Sequence, residues 1–163
     1  MIKQFVLKEA CLNCQGCCRF KEINSVWPPC LLDLEIEKLL KKNIPPSVIS
    51  SSKRVRLIPN SQQDNFVCAL FNTQENICKI YSFRPFECQL YPFLINRKGK
   101  SVFLAVDLGC PFIKENLHSK EFKEYVQYLT EFINSPHQLC ILRNNPHLIQ
   151  AYKEAENIFE LKI

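Results

Sequence analysis

Cys11-Leu-Asn-Cys14-Gln-Gly-Cys17-Cys18 gathers four thiols into eight residues. The Cys-x2-Cys spacing lets two thiolates turn onto one metal from a single tight loop, and Gly16 gives that loop backbone freedom. Outward from it stands a second run, Cys78-Lys-Ile-Tyr81-Ser-Phe-Arg84-Pro85-Phe-Glu-Cys88-Gln-Leu-Tyr91-Pro92. Cys68 lies ten residues before Cys78, across an expected hairpin, and Cys110 stands directly before Pro111.

The compartment decides how such thiols are read. Residues 1–10 carry Lys3, Lys8 and Glu9 and have no apolar core of signal-peptide length. No run of about 18 apolar residues occurs, so no membrane span is expected and the cytoplasm is the default location. Ten Cys in 163 residues is high for that compartment. Disulfides do not persist there, so clustered cysteines read as ligands or reactive groups. The net charge of +5 is mild, and its only clusters, Lys53–Arg56 and Arg97–Lys100, read as a strand edge and a hairpin turn. With no basic stripe interleaved with stacking aromatics, nucleic-acid binding is disfavoured.

The flanking segments read as a small α+β domain. Residues 2–7 suit a short strand. Asp33 can cap a helix to about Lys42 that uses Leu34, Leu39 and Leu40, and Pro45-Pro46 ends it. Residues 54–59 suit a strand. Two hairpins follow, Phe66–Phe71 with Ile77–Tyr81, and Phe93–Asn96 with Val102–Val106. Ser119 can cap a helix through Phe122, Tyr125, Val126, Leu129, Phe132 and Ile133. Asn145-Pro146 opens a second, with Leu148, Tyr152, Ala155 and Phe159 on one face. The expectation is one domain over 1–163, with irregular Cys-rich loops and two β-hairpins forming a metal-binding region at 11–111. C-terminal α-helices over 115–163 would pack on it.

The two cysteine runs together, with Arg84-Pro85 and Tyr91-Pro92, resemble the CxxCxxCC cysteine-cluster family, described as zinc- or iron-chelating and related to flagellin lysine-N-methylase. The resemblance covers about residues 11–111. It implies metal chelation, and Cys11, Cys14, Cys17, Cys18, Cys68, Cys78, Cys88 and Cys110 match its cysteine pattern. Cys30 and Cys140 do not match, and read as ordinary half-buried thiols. The resemblance implies no particular reaction.

The residues alone lead to a compatible chemistry. His118, His137 and His147 all lie in the C-terminal third, so ligation near the cysteines would be by thiolate alone. That excludes the three-His and two-His-one-carboxylate sites and leaves zinc, iron–sulfur or Cu(I). A Cys-x2-Cys-x2-Cys triplet with a remote Cys-Pro favours an iron–sulfur cluster, of the 4Fe-4S type. Zinc is the alternative, as a structural or interaction module without catalysis. Ligands spread over a hundred residues count against the compact ferredoxin pattern. Adjacent Cys17 and Cys18 point their side chains apart, which leaves one or two metal sites open. Arg84 and Arg19 stand beside the cysteines and can offset the negative charge of a thiolate centre, with a structural ion pair between Arg84 and Glu87 as the competing reading. Tyr81 and Tyr91 read as packing residues. Three Gly leave no phosphate loop. Whether the chain is an enzyme stays open; as one, it would draw on a partner protein to complete its catalytic set.

Overall fold

The computed structural model describes residues 2–14 and 16–163; Met1, and Gln15 within the first cysteine run, lie outside the described residues. The chain is of the α+β class, with six α-helices and eight strands among the described residues. It forms two compact units, Leu7–Gln89 and Met1–Val6 with Leu90–Ile163.

The Leu7–Gln89 unit begins with α1 (Lys8–Asn13), followed by β1 (Arg19–Phe20) and α2 (Asp33–Lys41). Then come β2 (Leu57–Pro59), β3 (Phe66–Cys68), β4 (Phe71–Asn72), β5 (Ile77–Cys78) and α3 (Phe86–Leu90), the last residue of which belongs to the other unit. Three strands form an antiparallel sheet in the order β1-β3-β2, and β4 pairs with β5. The strands have only two or three residues each, so the ladders contribute little, and burial of Phe20, Leu31, Leu39, Val55, Val67, Leu70, Phe71 and Ile80 must carry the unit. Trp27 packs against this core.

Several expectations change here. Asp33 does not cap α2. Leu32 holds the cap position, its N–H donates to Glu35 Oε2 at 2.9 Å, and Asp33 pairs instead with Lys53 at 2.7 Å. Of the three leucines, Leu39 is buried while Leu34 is 76% exposed. The first hairpin closes as β4 on β5, with Phe71 opposite Cys78. β3 leaves it to sit between β1 and β2, because the turn residues Asn72 and Glu75 tie the shorter loop: Asn72 Oδ1 accepts the N–H groups of Gln74 and Glu75. The cysteines are less confined to loops than expected, with Cys11 on α1, Cys88 on α3 and Cys140 on a later helix.

The second unit holds β6 (Phe93–Lys98), β7 (Ser101–Asp107), α4 (Pro111–Asn116), α5 (Lys120–Ile133), α6 (Pro136–Asn144) and β8 (Ala155–Glu160). Its sheet is antiparallel in the order β6-β7-β8. β7 is central and apolar on both faces, as its sequence requires. Ser119 caps α5, accepting the Phe122 N–H at 3.0 Å, and Phe122, Tyr125, Leu129 and Ile133 are buried at helical spacing.

Two segments depart from expectation. Residues 2–7 form no strand. Phe5 enters an aromatic cluster with Phe93, Phe112, Phe122 and Tyr125, and the Lys3 backbone bonds to the Tyr125 and Tyr128 hydroxyls in place of a strand neighbour. The helix expected from Asn145-Pro146 is a single 3-10 turn at Pro146–Leu148, followed by extended chain and β8. Backbone bonds from Arg97 to Gln150, and from Gln150 to Ile95, draw this segment onto the sheet. The open edge of β7 then outweighs the 3.6-residue spacing of Leu148, Tyr152, Ala155 and Phe159.

Tyr125 is buried and its hydroxyl donates to Lys3 O at 2.6 Å. Burial, with Tyr128 beside it, pushes its phenol above the ordinary value. The unfolded chain therefore releases this proton first, near pH 10, and stability from the group is present below that pH and lost as pH rises. Tyr125→Phe should cost about 1 kcal/mol at neutral pH. In urea unfolding at a series of pH values, the gap between parent and variant should narrow and then reverse above about pH 10.

Candidate metal centre

α1 places Cys11 in its last turn and Cys14 at its C-terminal cap, where the Cys14 N–H bonds to Ala10 O at 3.0 Å. The chain then folds back over Cys14. The Gly16 N–H donates to Cys14 Sγ at 3.3 Å, and a Cβ on Gly16 would stand 3.4 Å from that sulfur. Cys18 enters β1, and its carbonyl accepts the Cys68 N–H at 3.1 Å, which brings β3 and its Cys68 alongside the first cysteine run. β5 supplies Cys78 and α3 supplies Cys88.

These seven thiols, all within Leu7–Gln89, interact as one network. Cys11 lies beside Cys17 and Cys17 beside Cys18, while Cys14 adds its charge to the surroundings of Cys17. Cys88 feels Cys68, Cys78 and Cys17, and Cys78 feels Cys11. No disulfide joins them; all ten cysteines are free thiols. Among the described residues, no three Cys, His, Asp or Glu side chains converge tightly enough to grip one ion.

Without a cation among them, Cys11, Cys17, Cys68, Cys78 and Cys88 hold their protons. The bond Cys11 gives to Cys17 raises its own pKa, burial raises it further, and Arg84 and Tyr81 counter only in part. Cys17 is helped by the bond from Cys11, but its bond to Cys18, desolvation and the charges of Cys18 and Cys14 outweigh that help and leave it well above the ordinary value, although the residue reaches the surface. Burial raises Cys68 to about 11 against an opposing Leu70 N–H, and raises Cys78 against the Ile80 N–H and Arg84. Cys88 is raised well above the ordinary value, by burial first and then by Cys68, Cys78 and Cys17. A metal cation inverts this balance, since each thiolate it binds is stabilised and a proton is released. An all-sulfur donor set fits soft or borderline metals: zinc, iron in a cluster, or Cu(I).

The structure adds one residue that sequence reasoning set aside as packing. The Tyr81 hydroxyl lies beside Cys11 and favours its ionised form. Arg84 lies 4.0 Å over the Tyr81 ring and points Nη1 at Cys11 Sγ, 3.9 Å away. The Tyr81–Arg84 spacing on a 3-10 turn leading into Pro85 was the available clue. Glu87 is occupied elsewhere: its Oε2 accepts the Cys30 N–H at 2.6 Å, and burial pushes its carboxyl up to about 8 against the help of that N–H and Arg54. Arg19 stacks on Phe71 at 4.8 Å and bonds to Asn76 at 2.7 Å, which places its guanidinium on the β4–β5 hairpin. Tyr91 packs in the second unit, its hydroxyl on Asp107 at 2.7 Å.

The remaining cysteines divide. Cys110 is buried at the N-terminal cap of α4 in the second unit. Cys30 and Cys140 are not the half-buried pair that their positions suggested. Cys30 is fully buried between Pro29 and Leu31, whereas Cys140 is exposed on α6. No helix among the described residues is long and apolar enough to cross a membrane.

No curated protein and no solved structure matches the chain. One family model does, and its match reaches past both cysteine runs through the C-terminal helices into β8. With residues 10–160 matched by the model described as "Putative zinc- or iron-chelating domain", the chain belongs to the CxxCxxCC family.

Proposed function

We propose that the Leu7–Gln89 unit carries a metal centre ligated by cysteine alone, and that the metal is iron in an iron–sulfur cluster. The observation that carries this reading is the network of seven thiols with no imidazole in it. A four-iron cluster spaces its four thiolates farther apart than a single ion does, which suits sulfurs that do not close in threes on one point among the described residues. Such a cluster, when bound, supplies one-electron chemistry, either for electron transfer or for a modifying enzyme that it serves with a partner protein. The chain's own residues prepare the place. Tyr81 and Arg84 donate toward Cys11 and offset negative charge there, and burial around Cys68 and Cys88 keeps water out.

Zinc is the second reading. The direct contacts along Cys11, Cys17 and Cys18 favour it, because a tetrahedral zinc about 2.3 Å from each sulfur sets neighbouring sulfurs about 3.8 Å apart. The protein would then be a thiolate-stapled interaction module.

Metal analysis on protein purified without oxygen separates the two. Iron with acid-labile sulfide and a broad visible absorbance is the expected result. Colourless protein with stoichiometric zinc would favour the second reading, and protein with neither metal would overturn the function. Cys11→Ser and Cys17→Ser should each lower metal retention at least tenfold by the same assay, while Cys140→Ser leaves it unchanged; Cys110→Ser in the same series decides whether the eighth family cysteine belongs to the set. Metal removal should also act on one unit selectively. Trp27 is the sole tryptophan and packs on the core of Leu7–Gln89, so its fluorescence reports that unit. Chelation should lower the melting midpoint seen by Trp27 by ten degrees or more, on the order of a few kcal/mol, and leave the helical far-UV signal of α5 and α6 in place at ambient temperature.

A further inference from the structure

We propose that Glu87, together with Glu35, is a positioning residue that sets the Cys88 sulfur for the metal centre; the proposal rests on the reading above. α3 has five residues, too few to hold itself as an isolated helix. Its place is fixed by two carboxylates. Glu35, from the first turn of α2, uses both oxygens: Oε2 accepts the Leu32 N–H at 2.9 Å, and Oε1 accepts the N–H of Phe86, the first residue of α3. Glu87, the next residue of α3, reaches back with Oε2 to the Cys30 N–H at 2.6 Å. Both bonds lead to Cys30–Leu32.

That segment is itself immobilised. Cys30 and Leu31 are fully buried. The Leu31 N–H bonds to Lys53 O at 2.8 Å, the Val55 N–H to Pro29 O at 3.0 Å, and Arg54 Nη1 to the carbonyls of Val26 and Pro28 at 2.7 and 3.0 Å. Cys88 follows Glu87 directly, so its Cα lies within one virtual bond of an anchored residue.

Two partly buried carboxyl groups do this joining. An apolar residue at either position would leave the Cys30 or Phe86 N–H without its acceptor, so the two side chains hold α3 in one place on Cys30–Leu32. The geometry they fix is that of the only helix here that carries a sulfur of the Cys68–Cys78–Cys88 group. Outer hydrogen bonds of this kind typically control metal affinity 10–100-fold.

The test uses the full chain and two readouts, Co(II) titration followed through the thiolate-to-cobalt absorbance, and iodoacetamide labelling of each cysteine resolved by mass spectrometry. Glu87→Leu and Glu87→Met keep the volume and remove the acceptor; Glu87→Gln keeps an acceptor. The expected result for Leu and Met is Co(II) affinity lowered about 10–100-fold, with absorbance per bound cobalt falling to that of Cys88→Ser and labelling accelerated at Cys88 but not at Cys68. Glu87→Gln should restore both readouts. Parent-like affinity and labelling in Leu and Met would overturn the proposal. So would loss of folding in both with Glu87→Gln fully competent, since that assigns Glu87 to folding alone. A parent chain that gives no thiolate–cobalt band would instead remove the metal function, while the selectivity of Cys88 labelling still decides whether Glu87 holds α3.

Discussion

Sulfurs crowded into one small unit cannot all ionise unless a cation stands among them. In Leu7–Gln89 the surrounding chain deepens that constraint. Burial raises Cys68, Cys78 and Cys88, and the bonds from Cys11 to Cys17 and on to Cys18 keep protons in the group. The strands nearby are too short to enforce such crowding by themselves. The arrangement persists because apolar burial around Val67, Leu70 and Ile80 holds the backbone that presents the thiols. The thiol state and the metal-bound state therefore compete over the same geometry, and proton release links them.

The local help given to the sulfurs is uneven. Cys11 receives donors from Tyr81 and Arg84, and Cys14 receives the Gly16 N–H. Cys88 is influenced chiefly by burial and by other thiols. Donors therefore stand beside Cys11 and Cys14, while the α3 cysteine has burial and other thiols around it.

Much of this was legible where the cause is local. Ser119 with Phe122, Tyr125, Leu129 and Ile133 identifies α5, and the doubly apolar run of β7 announces a central strand. The cysteine spacing points to thiolate chemistry because metal ligation demands particular residue types at particular intervals, and the family match agrees with a zinc- or iron-chelating domain. What was not legible depends on partners far along the chain. β8 carries a helical spacing that only the free edge of β7 overrides. Residues 2–7 look like a strand until Lys3 meets Tyr125 and Tyr128. Tyr81 reads as packing until α1 brings Cys11 to its hydroxyl, and nothing local in the sequence marks Glu35 as the acceptor of the Phe86 N–H.

The path of the chain carries one more consequence. Met1–Val6 joins Leu90–Ile163, so the cysteine-bearing unit is an insertion between two parts of its neighbour. On the ribosome, Phe5 is made first but must wait for Phe122 and Tyr125 before its aromatic cluster can close. At ordinary elongation rates that interval is on the order of ten seconds. The thiols of Leu7–Gln89 are all synthesised within it, so metal can be acquired while the other unit is still incomplete.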